Sequence, residues 1–214
     1  MDEKTQGIVL RARAFSDTSL IVHWLTEDCG RLATMVKGAK RPKSPFRGKL
    51  DLCFTNQLAF RRNPKGDLHT LKEVVLIDSR PWMRSHYAVL QKVASAVSLM
   101  ELGTETDTPT PELYVLFSEF LDALKLNPDR VEILCAFEAR FLDWSGLLPE
   151  IDQVPVSKDV RKTLEAWTQA TWNEIAEVEL SSAIRTSGAG WLRSVMGNEY
   201  GRLPKGRDAV FAAA

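Results

Sequence analysis

Between Arg31 and Lys49 the chain carries seven basic side chains (Arg31, Lys37, Lys40, Arg41, Lys43, Arg47 and Lys49) and not one carboxylate. Such a run suits a polyanion, because Lys and Arg release condensed counterions when they neutralise phosphates. A carboxylate among them would repel phosphate and cancel a neighbouring cation. The same run is also compatible with a solvated loop. Just upstream, Arg11 and Arg13 sit two residues apart, as on one face of a strand. Together with Lys37, Lys40, Arg41, Lys43 and Arg47 they form a candidate phosphate-contacting set that reads no sequence. Three rings are near. Phe46, between Pro45 and Arg47, is the stacking candidate or else the anchor of its loop. Phe15 lies in a turn, and Trp24, in a strand, reads as core.

Other chemistry finds little support. His23, His69 and His86 are isolated, and each reads as an ordinary surface or packed histidine. Cys29, Cys53 and Cys135 have no paired CxxC spacing, so no zinc site is expected. Cys53 and Cys135 fall in apolar stretches, and nothing near Cys29 argues for a nucleophile. There is no phosphate-binding or dinucleotide glycine fingerprint. Glu150 and Asp152 follow a helix stop and read as loop residues rather than an acid/base pair. The expectation is a non-enzymatic protein without metal or cofactor.

The elements that must position the basic residues are strands. Short β-branched and aromatic runs over residues 7–13, 20–26, 31–37, 50–60 and 68–77 are separated by Ser/Asp, Gly and Pro-Lys-Gly turns. Five short antiparallel strands in about eighty residues fit a small Greek-key barrel such as the OB-fold. The loop over 38–48 carries Pro42 and Pro45, which stiffen it. After Pro81 the apolar period becomes helical. Helices are expected over 86–102, from Pro111 to Asn127, over 131–144, over 157–175 with Ser157 as N-cap, and, as one or two pieces, over 181–196 around Gly188 and Gly190. A Thr/Pro-rich break covers 104–110, and the tail over 201–207 is basic. The fold class is therefore α+β. A five-stranded OB-fold barrel over 1–80 precedes an α-helical domain over 81–214.

Charge divides along the same line. The 214 residues balance at a net charge of zero, yet residues 1–80 hold 15 basic and 9 acidic groups, a net +6. Residues 81–214 hold 13 and 19, a net −6. Such a contrast suggests two domains with different partners. With 44% hydrophobic and 26% charged residues the composition is ordinary for a globular chain. No apolar run reaches the roughly 18 residues of a membrane span. The polar N-terminus shows no secretory signal, and three scattered cysteines form no disulfide framework, so a cytoplasmic protein is expected.

The ordered series Gly7-Ile8-Val9-Leu10, Phe15-Ser16-Asp17-Thr18-Ser19-Leu20, Leu25-Thr26, Gly30-Arg31-Leu32, Lys37-Gly38-Ala39-Lys40-Arg41 and Ser44-Pro45-Phe46-Arg47-Gly48 resembles the N-terminal domain of the RecO family of DNA repair proteins. Downstream, Glu101-Leu102, Phe137-Glu138-Ala139-Arg140 and Gly146-Leu147-Leu148-Pro149 look like the family's helical domain. The stretch over 201–207 is similar to its basic C-terminal segment. Many members carry a four-cysteine zinc module after the segment matching residues 148–152. Here Gln153-Val154-Pro155-Val156 follows, and no cysteine occurs after Cys135. The module is expected to be absent or degenerate.

The resemblance implies a recombination mediator that binds single- and double-stranded DNA and anneals complementary strands. It implies work with RecR, and in some lineages RecF, to load RecA onto strands covered by single-strand binding protein. Reading the residues alone reaches only a basic barrel joined to an acidic helical domain. On that basis an RNA-binding OB module and a protein–protein adaptor stay open as alternatives.

Overall fold

The structure, a computed structural model, describes residues 2–212. Two compact units are present. One comprises the chain through Pro81 together with Thr104–Val115, and the other Trp82–Gly103 with the chain from Leu116 onward. The Thr/Pro-rich stretch, read from sequence as a break inside the helical half, thus packs with the barrel.

The barrel unit is a five-stranded closed sheet in the order β1-β2-β3-β5-β4, with β1 (Asp2–Ala14), β2 (Leu20–Thr26), β3 (Gly30–Val36), β4 (Thr55–Arg61) and β5 (Leu68–Asp78). Among the five named strands only β3 and β5 pair in parallel, with Ala33 opposite Leu68 and Met35 opposite Thr70. This is the ring order of an OB-like Greek-key barrel. Closure depends on β1, which is long enough to serve two neighbours. Its first half pairs with β4, from Asp2 opposite Arg61 to Ile8 opposite Thr55. Its second half pairs with β2, from Gly7 opposite Thr26 to Ala14 opposite Leu20. A bulge between Val9 and Arg11 bends the strand where it changes partner.

The strand start differs from the expectation at residue 7. Asp2, Glu3 and Lys4 are polar and lack the alternation that marks a strand. They are held by cross-strand pairs instead, with Arg61 Nε donating to Asp2 at 2.9 Å and Arg62 Nε donating to Glu3 at 2.8 Å. The fourth strand begins at Thr55, not at 50. Phe54 N donates to the Asp51 carbonyl at 3.0 Å, and Cys53 takes φ +59°, so this piece is a turn. Leu50 nevertheless packs against the barrel core from the loop.

That core comprises Val9, Val22, Trp24, Leu32, Val36, Leu58, Phe60 and Leu71 among others. Trp24 is fully buried, and its indole N–H donates to Thr34 Oγ1 at 2.9 Å, which satisfies its one polar atom. At Gly30, φ is +69° and an added Cβ would lie 1.7 Å from the Thr108 carbonyl oxygen. Only glycine lets Thr104–Val115 approach the start of β3. Arg31 secures that approach, with Nε on Thr104 Oγ1 at 2.6 Å and its carbonyl accepting from Asp107 N at 2.6 Å.

Seven α-helices follow among the described residues: α1 (Tyr87–Gly103), α2 (Pro111–Leu126), α3 (Glu132–Trp144), α4 (Lys158–Gln169), α5 (Trp172–Glu177), α6 (Ser182–Tyr200) and α7 (Arg207–Ala212). The helical unit is built around α3, whose residues from Glu132 to Ala139 are all buried. Phe117, Phe120, Phe137 and Phe141 form a chain of ring contacts at 4.6 to 6.2 Å between centroids.

Ser157 caps α4 as expected, accepting from Val160 N. The helix expected over 157–175 is two helices, because Thr171 and Glu174 form a capping box that starts α5. Conversely, α6 runs unbroken through Gly188 and Gly190. Gly188 is there for packing, since a Cβ would stand 2.8 Å from the Trp167 ring. The basic tail runs into α7, which begins at its last residue, Arg207, and which the sequence did not reveal. Its Arg207 is 2% exposed and forms a bidentate pair with Glu138 at 2.7 and 2.8 Å.

Candidate nucleic-acid interface

β1 ends, β2 begins and β3 ends at one edge of the barrel, where Ala14 stands opposite Leu20 and Leu20 opposite Val36. The turn over 15–19 and the basic loop after Val36 both leave from this edge. The loop is a series of four-residue turns. Arg41 N donates to the Gly38 carbonyl, Ser44 N to Arg41, Arg47 N to Ser44 and Lys49 N to Phe46, at 3.0 to 3.3 Å. Pro42 and Pro45 occupy the second position of successive turns, where a fixed φ near −65° is already correct. Gly48, at φ +72°, sits third in the last of them. Ser44 Oγ also accepts from Phe46 N at 3.3 Å.

Two contacts fix this loop to the barrel. Ala39 belongs to the core, and Phe46 is half-buried and packs against it. Phe46 therefore anchors the loop, which limits the ring face it can offer to a base. Lys40 binds the neighbouring turn, its amide donating to the Thr18 carbonyl at 3.0 Å and its ammonium to the Ser16 carbonyl at 3.2 Å.

Lys37, Lys40, Arg41, Lys43 and Arg47 are all exposed, as are Arg11 and Arg13 on the outgoing half of β1. Among the described residues, no carboxylate lies within ion-pair distance of the five loop cations or of Arg13. Arg47 donates only weakly, to the Pro42 carbonyl at 3.4 Å. The arginines at the end of β4 contrast with these. Arg61 is paired with Asp2, and Arg62 with Glu3 and with Asp107 at 2.7 Å. Two members of the sequence cluster are also occupied, Arg31 by Thr104 and Lys49 by the Val74 carbonyl at 3.3 Å. Five exposed cations without a carboxylate partner thus lie together on this one loop, while Lys4, Lys65 and Lys72 stand exposed elsewhere on the barrel unit. Two acidic residues flank it, Asp17 at the tip of the turn and Asp51 beyond the loop, both exposed.

Of the rings considered from sequence, Trp24 is core, Phe46 is the anchor, and Phe15 is 55% exposed. That ranking needs tertiary information, because both phenylalanines sit in polar loops.

The remaining titratable groups have structural surroundings. His69 is buried, accepts from Asn63 N at Nδ1 (3.3 Å) and donates from Nε2 to Asp107 at 2.8 Å. His86 lies exposed just before α1. Burial pushes the Cys53 thiol up to about 12 and the Cys135 thiol well above its ordinary value, so neither is a thiolate at neutral pH. Burial also raises Cys29. Among the described residues, no group of three or more His, Cys, Asp or Glu side chains is placed to hold a metal ion. No helix among them is long and apolar enough to cross a membrane.

Comparison with known proteins agrees with this architecture. Residues 1–80 match the family model described as Recombination protein O N terminal, the same stretch that forms the five strands. The chain is similar to the DNA repair protein RecO of Bacillus pumilus, 31% identical over 150 residues covering 70% of this chain and 58% of the relative. It is also similar to RecO of Actinobacillus pleuropneumoniae serotype 7, 34% identical over 147 residues, 66% of this chain and 58% of the relative. RecO of Salinibacter ruber is 29% identical over 154 residues, 72% and 59% respectively. The chain thus spans somewhat under two thirds of the length of these relatives. With an OB-like barrel over the residues of the matching N-terminal domain and a helical unit after it, the chain belongs to the RecO family.

Proposed function

We propose that this chain is a non-enzymatic recombination mediator in DNA repair, which binds single- and double-stranded DNA on the loop edge of its barrel and anneals complementary strands. The observation that carries this reading is the set of five exposed, carboxylate-free cations on a loop braced by Phe46 and Lys40. Lys37, Lys40, Arg41, Lys43 and Arg47 are assigned to phosphates, with Arg11 and Arg13 extending the track along β1. Contacts of this kind position a strand without reading it. Base edges stay free, so two strands held on one surface pair with each other, and no nucleotide hydrolysis is required. Rigidity helps, because a pre-ordered loop loses less entropy on binding.

The acidic helical half, net −6 over residues 81–214, repels phosphate and suits protein partners instead. RecR, RecF in some lineages, and single-strand binding protein are the partners assigned on the family resemblance, with RecA loading as the outcome.

Annealing is tested by mixing complementary fluorescent strands, naked or covered by single-strand binding protein, and following energy transfer. The expected result is faster pairing with the protein than without it, and slower pairing for a Lys40→Ala/Arg41→Ala/Lys43→Ala variant. Preference for structured RNA over DNA would favour the RNA-binding alternative. Absence of salt-sensitive binding to either polymer would favour the adaptor.

A further inference from the structure

We infer that Phe15 is a base-stacking residue of this surface, and that single-stranded nucleic acid with unstacked bases is therefore its preferred substrate class. The inference rests on the DNA-binding reading above and adds to it a residue and a selectivity.

Three observations converge on Phe15. It is among the few large apolar side chains left in water, at 55% exposure, while Trp24 and Phe46 are committed to the core and the loop anchor. Its backbone is fixed. Phe15 N donates to the Ser19 carbonyl at 3.0 Å, Ser16 N donates to the same carbonyl at 3.3 Å, and Ser16 Oγ accepts from Ser19 N at 3.2 Å. It also adjoins the cations. Lys40 grips the next residue's carbonyl, and Arg13 lies two residues upstream on β1. An exposed ring on a rigid turn, beside unpaired cations, is the arrangement by which single-strand binders hold successive nucleotides. The loop between the first two strands is also one of the two that bracket oligonucleotides on OB barrels.

Selectivity follows from chemistry. A ring stacks only on a base whose face is free, so single strands gain from Phe15 and duplexes do not. Asp17, two residues on, opposes phosphate, and its removal is expected to strengthen both polymers alike.

The test compares the unaltered protein with Phe15→Ala and Phe15→Trp by fluorescence anisotropy. Three probes are used: an oligothymidylate, an abasic oligomer of the same length, and a duplex. Phe15→Ala is expected to weaken oligothymidylate binding by roughly 5- to 100-fold, the range set by one lost stacking contact. Abasic and duplex binding should hold within about twofold, and Phe15→Trp should restore the oligothymidylate. Equal losses on all three probes, or no loss on any, overturn the role of Phe15 and leave the cationic interface standing. Failure of the unaltered protein to bind any probe at low salt removes the interface and the role of Phe15 together.

Discussion

The Lys40 ammonium donates to the Ser16 carbonyl at 3.2 Å across a sequence separation of 24 residues. This single contact, with the Lys40 amide on Thr18, makes one surface of two loops that leave the same barrel edge. An exposed cation and a fixed turn are thereby coupled.

Under the proposed function the loop cations contact phosphate. Replacing Lys40, Arg41 and Lys43 together by Ala should flatten the slope of log affinity against log salt by up to about three units, since each lost phosphate contact removes about 0.7 to 0.9. Titrations at several salt concentrations measure it. A slope equal to that of the unaltered protein would place the DNA elsewhere.

Phe46 holds the loop to the core. Phe46→Ala should cost about 1–2 kcal/mol of stability, less than a fully buried ring because Phe46 is half exposed. Urea unfolding of the barrel unit reads this directly, and an unchanged midpoint contradicts the anchor. The salt slope should stay as it is, because no cation is lost.

Gly30 admits the crossing segment. Gly30→Ala combines a left-handed backbone with a contact of 1.7 Å to the Thr108 carbonyl, so it should destabilise by about 2 kcal/mol or more. Gly66→Ala, with only Asn63 nearby at 3.7 Å, is the control expected to be near neutral. Thermal unfolding of both variants separates the two expectations.

Glu138 and Arg207 are 1% and 2% exposed and pair in two-pronged fashion. Truncating one partner strands the other, so Arg207→Ala should cost about 3–5 kcal/mol. A Glu138→Leu/Arg207→Met double variant should recover most of it. Additive losses would mean that the pair is not coupled. Arg207 is in consequence unavailable to DNA, although it lies in the basic tail.

Thiol chemistry gives a check on burial. Cys53 and Cys135 are buried with raised thiols, and Cys29 is half-buried. Only Cys29 should react with a polar thiol reagent in the native protein, and all three should react after denaturation. Rapid native labelling of Cys53 would contradict the turn that closes the loop.

Much of the barrel was legible because its strands alternate or run apolar between turn-forming residues. The second strand was read at residues 20–26, as observed, and the third within one residue. What stayed hidden depends on partners distant in sequence. Asp2 is strand because Arg61 lies opposite, which no local pattern announces. Gly188 reads as a breaker until Trp167 is seen against it. The short α7 is held by Arg207 on Glu138, 69 residues away, and in sequence Arg207 is merely the last cation of a basic tail. The cationic set was legible as composition. Which cations are unpaired, and which of Phe15 and Phe46 faces water, followed only from packing.

The most direct measurement is the anisotropy of a labelled single-stranded DNA oligomer titrated with the full chain across a salt series, with the RNA analogue alongside. Contact with about five phosphates predicts tight binding at low salt and a log–log slope near −3.5 on single strands and near −4.5 on duplex, without RNA preference. Binding that is absent at low salt, or indifferent to salt, would contradict the claim that the loop edge of the barrel is a nucleic-acid interface.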